Sequence, residues 1–481
     1  LAEAPLRVLA VSSELFPLVK TGGLADAAGA LPLALAAEGV AVDSLLPGYP
    51  AVRRALTSAT TVATLPDLFG AEARILAARH GGLSLRVLDA PHLFDRPGGP
   101  YQGQDGRDWP DNPLRFAALS RAAAALVLQE GHNALHAHDW QAGLAPAYLR
   151  FAPRRVPSLF TIHNLAFQGR YPAALFPALG LPPAAMAVDG LEYYGGIGFL
   201  KAGLWFADAI NTVSPSYAEE ILTPGGGMGL DGLLRGRAGA LHGILNGLDT
   251  ESWNPATDPD LAARFDAGDP TPRAVNKAAL RARAGLTAAP AAPLIAFVGR
   301  LTWQKGADLL LRALPMLLEQ GAQLFILGSG EAELEAACSA AAKAHPGKVA
   351  SVISFDEGLA RLTYGGADAL VVPSRFEPCG LAQLAALRYG APPVVSRTGG
   401  LSDTVIDASP MALAAGVATG VQFAPGSAEA LMAALRRTLQ LIRDPVSWDR
   451  IRNNAMATDV SWGPSARRYA ALLRGIAARH E

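Results

Sequence analysis

Short apolar runs alternate with stretches of helical period along most of the chain. Leu6 to Val11 is apolar and of strand length; Gly22-Gly23 and an Ala/Leu-rich stretch follow, predicting a helix from Leu24 to Glu38. Val42–Leu46, Ala134–His138 and Ser158–His163 predict further strands, with a helix over Phe116–Gln129. Buried strands separated by helical stretches predict βαβ units and a parallel sheet. The pattern then restarts. Strands are predicted at Leu294–Gly299, Gln323–Leu327, Ala369–Val372 and Pro393–Ser396, and helices at Ala307–Glu319 and Gly380–Tyr389. Two doubly wound α/β units are therefore expected. The turn residues between Asn246 and Pro255 mark the boundary, giving domains at 1–250 and 251–461. Residues 462–481 predict a C-terminal helix. Pattern alone does not assign it, and packing back on the first domain is one option.

Composition narrows the function classes. Of 481 residues half are apolar, which suits large cores, and 41 basic against 42 acidic residues leave a net charge of −1. A nucleic-acid binder carries a basic excess, so nucleic acid is not an expected partner. Two cysteines, Cys338 and Cys379, make neither a disulfide scaffold nor a zinc spacing, and a reducing, cytoplasmic compartment is the default expectation. No run reaches about 18 strongly apolar residues, so no membrane span is expected. Leu1 to Ser12 lacks a basic region ahead of an apolar core and is not read as a signal peptide.

The candidate chemistry sits where predicted strands end. Lys20-Thr21-Gly22-Gly23-Leu24-Ala25-Asp26 sets a cation beside glycines that let a backbone approach an anion, without the order of a P-loop or a dinucleotide fingerprint. Gly399-Gly400-Leu401-Ser402-Asp403 echoes it. Either copy alone reads first as a plain helix start. Together they suggest helix N-termini presented to phosphate. Arg300 and Lys305 follow a buried strand, where ligands of open α/β sheets bind, and suit charge developing on a leaving diphosphate. Ser374-Arg375-Phe376-Glu377-Pro378-Cys379-Gly380-Leu381 opens a helix after another strand. It puts a carboxylate beside backbone amides, or simply caps the helix. Cys379 has no histidine nearby in sequence and reads as a packing or backbone residue rather than a nucleophile. His136 and His138 stand two apart on one strand. Metal ligation is the minor reading there, because no further ligands accompany them. Asp139 and His163 fall at strand ends.

In order along the chain, KTGGLAD with AAGALP, PGYP, FDRPG, HAHDWQAGLAPAY, TIHNLAFQG, NTVSPSYAEE, NGLDTESWNP, GRLTWQKG, SRFEPCGL and TGGLSDTV together resemble the bacterial and plant glycogen/starch synthase family over roughly residues 6–462. The resemblance implies a GT-B architecture: two Rossmann-like domains, the first on the acceptor side, the second binding the donor, with the active site in the cleft between them. It implies retaining transfer of α-glucose from ADP-glucose, or UDP-glucose, to the non-reducing end of an α-1,4-glucan, with no cofactor and no metal.

The same resemblance implies residue roles. Lys20, Arg300 and Lys305 contact the diphosphate, with the Gly23 backbone near it. Asp139 and His163 lie beside the donor glucose, the His163 carbonyl close to the developing oxocarbenium. Asn164 and Asn246 line that pocket. Glu377 orients glucose hydroxyls with the amides of Cys379 and Gly380, and Phe355 stacks on the nucleobase. Two positions depart from the family pattern. Phe355 stands where Tyr is frequent, and Ala382 where Thr or Asn is common, which removes one side-chain hydrogen bond toward phosphate.

Overall fold

The computed structural model describes residues 5–479. They form two compact units. The first runs up to Asn246 and resumes at Trp462; the second spans Gly247–Ser461. Both ends of the second unit are paired, Leu248 N–H donating to the Val460 carbonyl at 2.7 Å.

Among the described residues the first unit holds β1 (Leu6–Val11), β2 (Val40–Pro47), β3 (Thr60–Leu65), β4 (Ala73–His80), β5 (Leu83–Asp89), β6 (Ala134–His138) and β7 (Ser158–Ile162). A small three-stranded sheet follows, made of β8 (Arg170–Pro172), β9 (Glu192–Tyr193) and β10 (Gly196–Gly198); β11 (Ala209–Thr212) and β12 (Leu241–Gly243) complete the unit. The main sheet is ordered β12-β11-β7-β6-β1-β2-β5-β4-β3. It is parallel except at its β5-β4-β3 edge, where the strands turn antiparallel. Adjacent residues of β1 face opposite sides. Val8 packs beneath the helix Gly23–Ala37, while Leu9 and Val11 join the cluster that includes Phe116 of the helix Asn112–Gln129. A parallel strand covered on both faces reads as one continuous apolar run, which is why β1 was legible.

The C-terminal helix, Gly463–Ala477, belongs to the first unit. Trp462, Ala466, Tyr469, Ala470, Leu473 and Ile476 recur at helical spacing and pack with Val8, Leu31, Leu159 and Ala209 on the sheet face shared with the helix Gly23–Ala37.

The second unit holds β13 (Leu294–Val298), β14 (Gln323–Leu327), β15 (Val349–Val352), β16 (Ala369–Val372), β17 (Pro393–Ser396) and β18 (Val421–Phe423). Its sheet is parallel throughout and ordered β15-β14-β13-β16-β17-β18. Counted within the unit this is 3-2-1-4-5-6, the Rossmann order, and the order reverses between β13 and β16. The first unit reverses likewise between β1 and β6. Leu294 and Ala296 face one core, Ile295 and Phe297 the other. The helix predicted at Gly380–Tyr389 is shorter, Ala382–Arg388, because Gly380 takes φ +78° and stays in the loop.

Candidate active site

Ligands of open α/β sheets sit beyond the carboxyl ends of the strands where strand order reverses. In the second unit that point lies after β13 and β16. The chain leaving β13 carries Arg300 and Lys305; the chain leaving β16 carries Ser374 to Glu377. The two loops are zipped together. Arg375 N–H donates to the Gln304 carbonyl at 2.8 Å, and Gln304 Nε2 to the Phe376 carbonyl at 3.2 Å. The Arg375 guanidinium forks onto Asp308 at 2.8 and 2.7 Å and lies 4.7 Å from the Trp303 ring centroid. Gly306 takes φ +71°, and a Cβ there would meet the Pro373 carbonyl oxygen at 2.1 Å, so only glycine allows this approach.

Within this frame Lys305 Nζ donates to Glu377 at 2.5 Å, and Ser374 Oγ donates to the same carboxylate oxygen at 2.9 Å. Glu377 is 5% exposed. Its carboxylate is therefore held by the Lys305 and Ser374 side chains. The Gly399-Gly400 echo explains the loop's position. Gly399 has φ +43°, a Cβ there would meet the Glu377 carbonyl at 2.0 Å, and Gly400 N–H donates to the Glu377 carbonyl at 3.1 Å. The six-residue helix Gly399–Thr404 thus buttresses Glu377. Cys379 is buried. The Arg300 guanidinium is exposed and makes no hydrogen bond or ion pair among the described residues. Phe355 is 80% exposed, one residue before Asp356, whose carboxylate caps the helix Glu357–Gly366 at Leu359 N–H.

The first unit's reversal point is built differently. β1 ends in Ser12-Ser13-Glu14, and Glu14 is 2% exposed. Its carboxylate accepts from Thr21 N–H and Thr21 Oγ1, both at 2.5 Å, from Gly22 N–H at 3.2 Å, and from the Tyr101 hydroxyl. The Lys20-to-Gly23 loop therefore does hold an anion, but the anion is the chain's own. Lys20 Nζ pairs with Asp26 at 2.7 Å, and Gly23 is the first residue of the helix. Neither Glu14 nor Tyr101 was flagged by sequence motifs. Glu14 sits three residues past the end of β1, and the strand-end rule applied to Asp139 points to it as well.

Asp139 ends β6 with φ +57°, a conformation costly for a residue with a Cβ. Its N–H donates to the Thr161 carbonyl at 2.9 Å, and its carboxylate accepts from His163 N–H at 2.7 Å. Burial pushes the carboxyl up to about 7, against the pull of the His163 and Asn164 amides; the nearby Glu14 charge adds to the rise. Behind it His138 Nδ1 bonds His163 Nε2 at 3.0 Å, and His136 Nε2 bonds Thr161 Oγ1 at 2.8 Å. Burial holds His138 down at about 3 and both His136 and His163 well below the usual imidazole range. Asn164 turns its carbonyl oxygen onto Ala166 N–H at 3.0 Å. Asn246 is 8% exposed, and its buried Oδ1 has no hydrogen-bond partner.

In the pair His136 and His138 each ring is engaged through one nitrogen by a neighbouring side chain. Among the described residues, acid and imidazole groups have metal-like spacing at Asp43, Glu130 and His132. There Arg86 already contacts Asp43 at 3.3 Å and Glu130 at 2.9 Å, which makes the cluster an ion-pair network.

Two Rossmann-like units, each with polar and charged groups gathered at its strand-order reversal, have the architecture of the GT-B class of glycosyltransferases. Residues 7–236 match the starch synthase catalytic domain family and residues 281–456 the glycosyl transferases group 1 family. The chain is 60% identical to a glycogen synthase of Acidiphilium cryptum, over 98% of this chain and 100% of that one, and 59% identical to one of Rhodopseudomonas palustris, over 98% and 99%. The catalytic domain of starch synthase IV from Arabidopsis thaliana, solved with ADP and acarbose bound, superposes with a TM-score of 0.90 at 32% identity, covering 99% of this chain and 100% of that domain. A sucrose-phosphate synthase from Thermosynechococcus elongatus shares the fold, with a TM-score of 0.63 at 20% identity. The chain belongs to the glycogen/starch synthase family, and its activity is glucosyl transfer in glycogen synthesis. No helix among the described residues is long and apolar enough to cross a membrane.

Proposed function

We propose that the chain transfers α-glucose from ADP-glucose to the non-reducing 4-hydroxyl of an α-1,4-glucan, with retention at the anomeric carbon. The observation that carries this reading is the second unit's switch point. An unengaged guanidinium at Arg300, an ammonium at Lys305 and a buried carboxylate at Glu377 stand on two loops locked to each other. Arg300 and Lys305 stabilise charge on the departing diphosphate, Arg through its fork and Lys as a point charge. Glu377 accepts from glucose hydroxyls, with the amides of Cys379 and Gly380 beside it. The exposed ring of Phe355 suits stacking on the adenine. The related starch synthase with ADP and acarbose supports a nucleotide donor and a glucan acceptor.

The first unit's residues act on the same donor. Lys20 exchanges Asp26 for a phosphate oxygen, near the Gly23 backbone. Asp139 and the His163 carbonyl stand beside the positive charge that builds at C1. Asn164 and the unpartnered Asn246 amide take sugar hydroxyls. The bond from C1 to the phosphate oxygen breaks, the bond from C1 to the glucan O4 forms on the same face, and the 4-hydroxyl proton passes to the departing phosphate. No carboxylate forms a covalent adduct, unlike the double displacement of retaining hydrolases, and no cofactor takes part. The test is nucleotide release by the purified protein with glycogen and ADP-glucose or UDP-glucose, with the anomeric configuration of the product read by NMR. Release from neither donor overturns the reading; a preference for UDP-glucose overturns its donor assignment.

A further inference from the structure

Behind the first unit's site lie three imidazoles, and of these residues the proposed reaction uses only the backbone carbonyl of His163. His136 and His138 project from β6 with ring centroids 4.0 Å apart, and His138 and His163 follow at 5.2 Å. His136 and His138 are 1% and 2% exposed. The stack is held at its His136 end. His136 Nε2 bonds Thr161 Oγ1, two residues before His163. The ring of Tyr469, from the C-terminal helix, lies 5.7 Å from His136, and its hydroxyl accepts from Asn211 Nδ2 at 2.7 Å. The remaining bond, His138 Nδ1 to His163 Nε2 at 3.0 Å, joins the stack to the site.

That bond carries information beyond packing. A neutral imidazole has one N–H and one bare nitrogen. Two neutral rings joined through one nitrogen each must share a single proton between those nitrogens, so the tautomer of one sets the tautomer of the other. If His138 carries its proton on Nδ1, His163 Nε2 is bare and His163 Nδ1 bears the N–H. If His138 Nδ1 is bare, His163 carries its proton on Nε2 and leaves Nδ1 as an acceptor. The ring of His163 also cannot rotate without breaking the bond. Burial keeps both rings neutral, in line with this arrangement.

We propose that His138 is a positioning residue for His163, locking both its ring orientation and its tautomer, with Thr161, His136 and Tyr469 of the C-terminal helix bracing His138 from behind. The proposal rests on the reading that His163 borders the donor glucose; its structural half stands without that reading. Plain core packing makes a different claim: any side chain of similar volume would serve at position 138. A hydrogen-bonding role requires a polar atom where Nδ1 lies, which Asn supplies and Leu does not.

The experiment has two arms. Long-range 1H–15N spectra of the histidine-labelled wild-type protein at pH 7 report the proton on each ring nitrogen. The expected result is one tautomer for His163, with a single proton shared between His138 Nδ1 and His163 Nε2. Both nitrogens protonated, or both bare, overturns the proposal with no variant needed. In the second arm His138→Leu lowers kcat by up to about 100-fold, the scale on which a misplaced reacting group acts. The donor KM moves less, His163 shows mixed tautomers, and His138→Asn recovers most of the rate. Leu matching wild type in both rate and tautomer overturns the proposal. A fully active His163→Ala, with the shared proton still present in wild type, shows that the His163 ring has no role at the donor; it leaves the tautomer coupling, and the role of the His163 carbonyl, intact.

Discussion

At the first unit's switch point the polar groups are deeply buried and partnered by their own chain. The Glu14 carboxylate takes the amides of the glycine loop, Asp139 takes the His163 amide, and three uncharged imidazoles stack behind. At the second unit's switch point the groups are ions, and one of them, the Arg300 guanidinium, has no partner among the described residues. The topology around the reversal is the same in both. The difference teaches that this fold supplies a location and leaves the chemistry to the loops. A charged, open site suits a diphosphate that arrives and departs with its charge. A buried, largely neutral one suits a sugar, because fixed dipoles in a dry site act strongly without attracting counter-ions.

The comparison breaks most sharply at Lys305. Lys305→Ala lowers kcat for nucleotide release by about 10²–10³-fold, the range for losing one preorganised charge-stabilising donor. Circular dichroism checks that the fold survives, since a buried Glu377 left without its cation also costs stability. A near-normal kcat would mean that the ionic character of the second site is structural.

Next in size is Ala382, the first residue of its helix. Ala382→Thr or Asn restores a hydrogen-bonding side chain near the proposed phosphate position and lowers the donor KM by about tenfold, as for a bond to a charged group worth about 1.5 kcal/mol. An unchanged KM would remove position 382 from the donor site.

The pH dependence of stability also separates the two units. A histidine whose folded value lies below about 6.5 adds stability that is complete above 6.5 and is lost as pH falls toward the folded value. His136, His138 and His163 are all lowered, first by burial, so each contributes a loss of about 1.4 kcal/mol per pH unit below 6.5. Asp139 works in the opposite sense: raised to about 7, it destabilises the fold above 7 and that cost is relieved as pH falls toward 3.8. The peptides of β6 and β7 should therefore lose hydrogen-exchange protection between pH 6.5 and 5, while those of β13 and β16 change less, the second unit having a single histidine, His345. Asp139→Asn removes the compensation and steepens the first unit's loss by about 1.4 kcal/mol per pH unit. Equal slopes in both units would contradict the neutral-stack description.

The smallest effect is expected at Phe355. Phe355→Ala raises the donor KM about fivefold, matching about 1 kcal/mol of stacking at an exposed ring. Phe355→Tyr leaves it within twofold, and a larger gain would show that the phenol hydroxyl finds a partner.

Eight of the strands were legible because a parallel strand covered on both faces is apolar along most of its length, as in Leu6–Val11 and Leu294–Val298; the antiparallel edge strands β3 and β4 and the short strands β8 to β12 carry no such run. The candidate residues were legible as motifs at strand ends. Their partners were not. Lys20 turning to Asp26, Glu14 filling the glycine loop and Tyr101 reaching Glu14 across 87 positions are matters of side-chain direction that no local pattern encodes. The C-terminal helix carries an apolar stripe in its sequence, but a stripe states only that some face must cover it.

Two α/β units, the strand-and-helix alternation within each, and the order of the motifs were determined by sequence alone, because burial on one or both faces writes a period into the chain. Tertiary structure decided which groups are charged, neutral or already engaged. The register that sets His138 beside Thr161, the glycine contacts behind Glu377, and the sheet face that receives Tyr469 all join residues far apart in the chain. Proton position and ion pairing depend on distances of a few ångströms between such residues, and only the folded chain sets those.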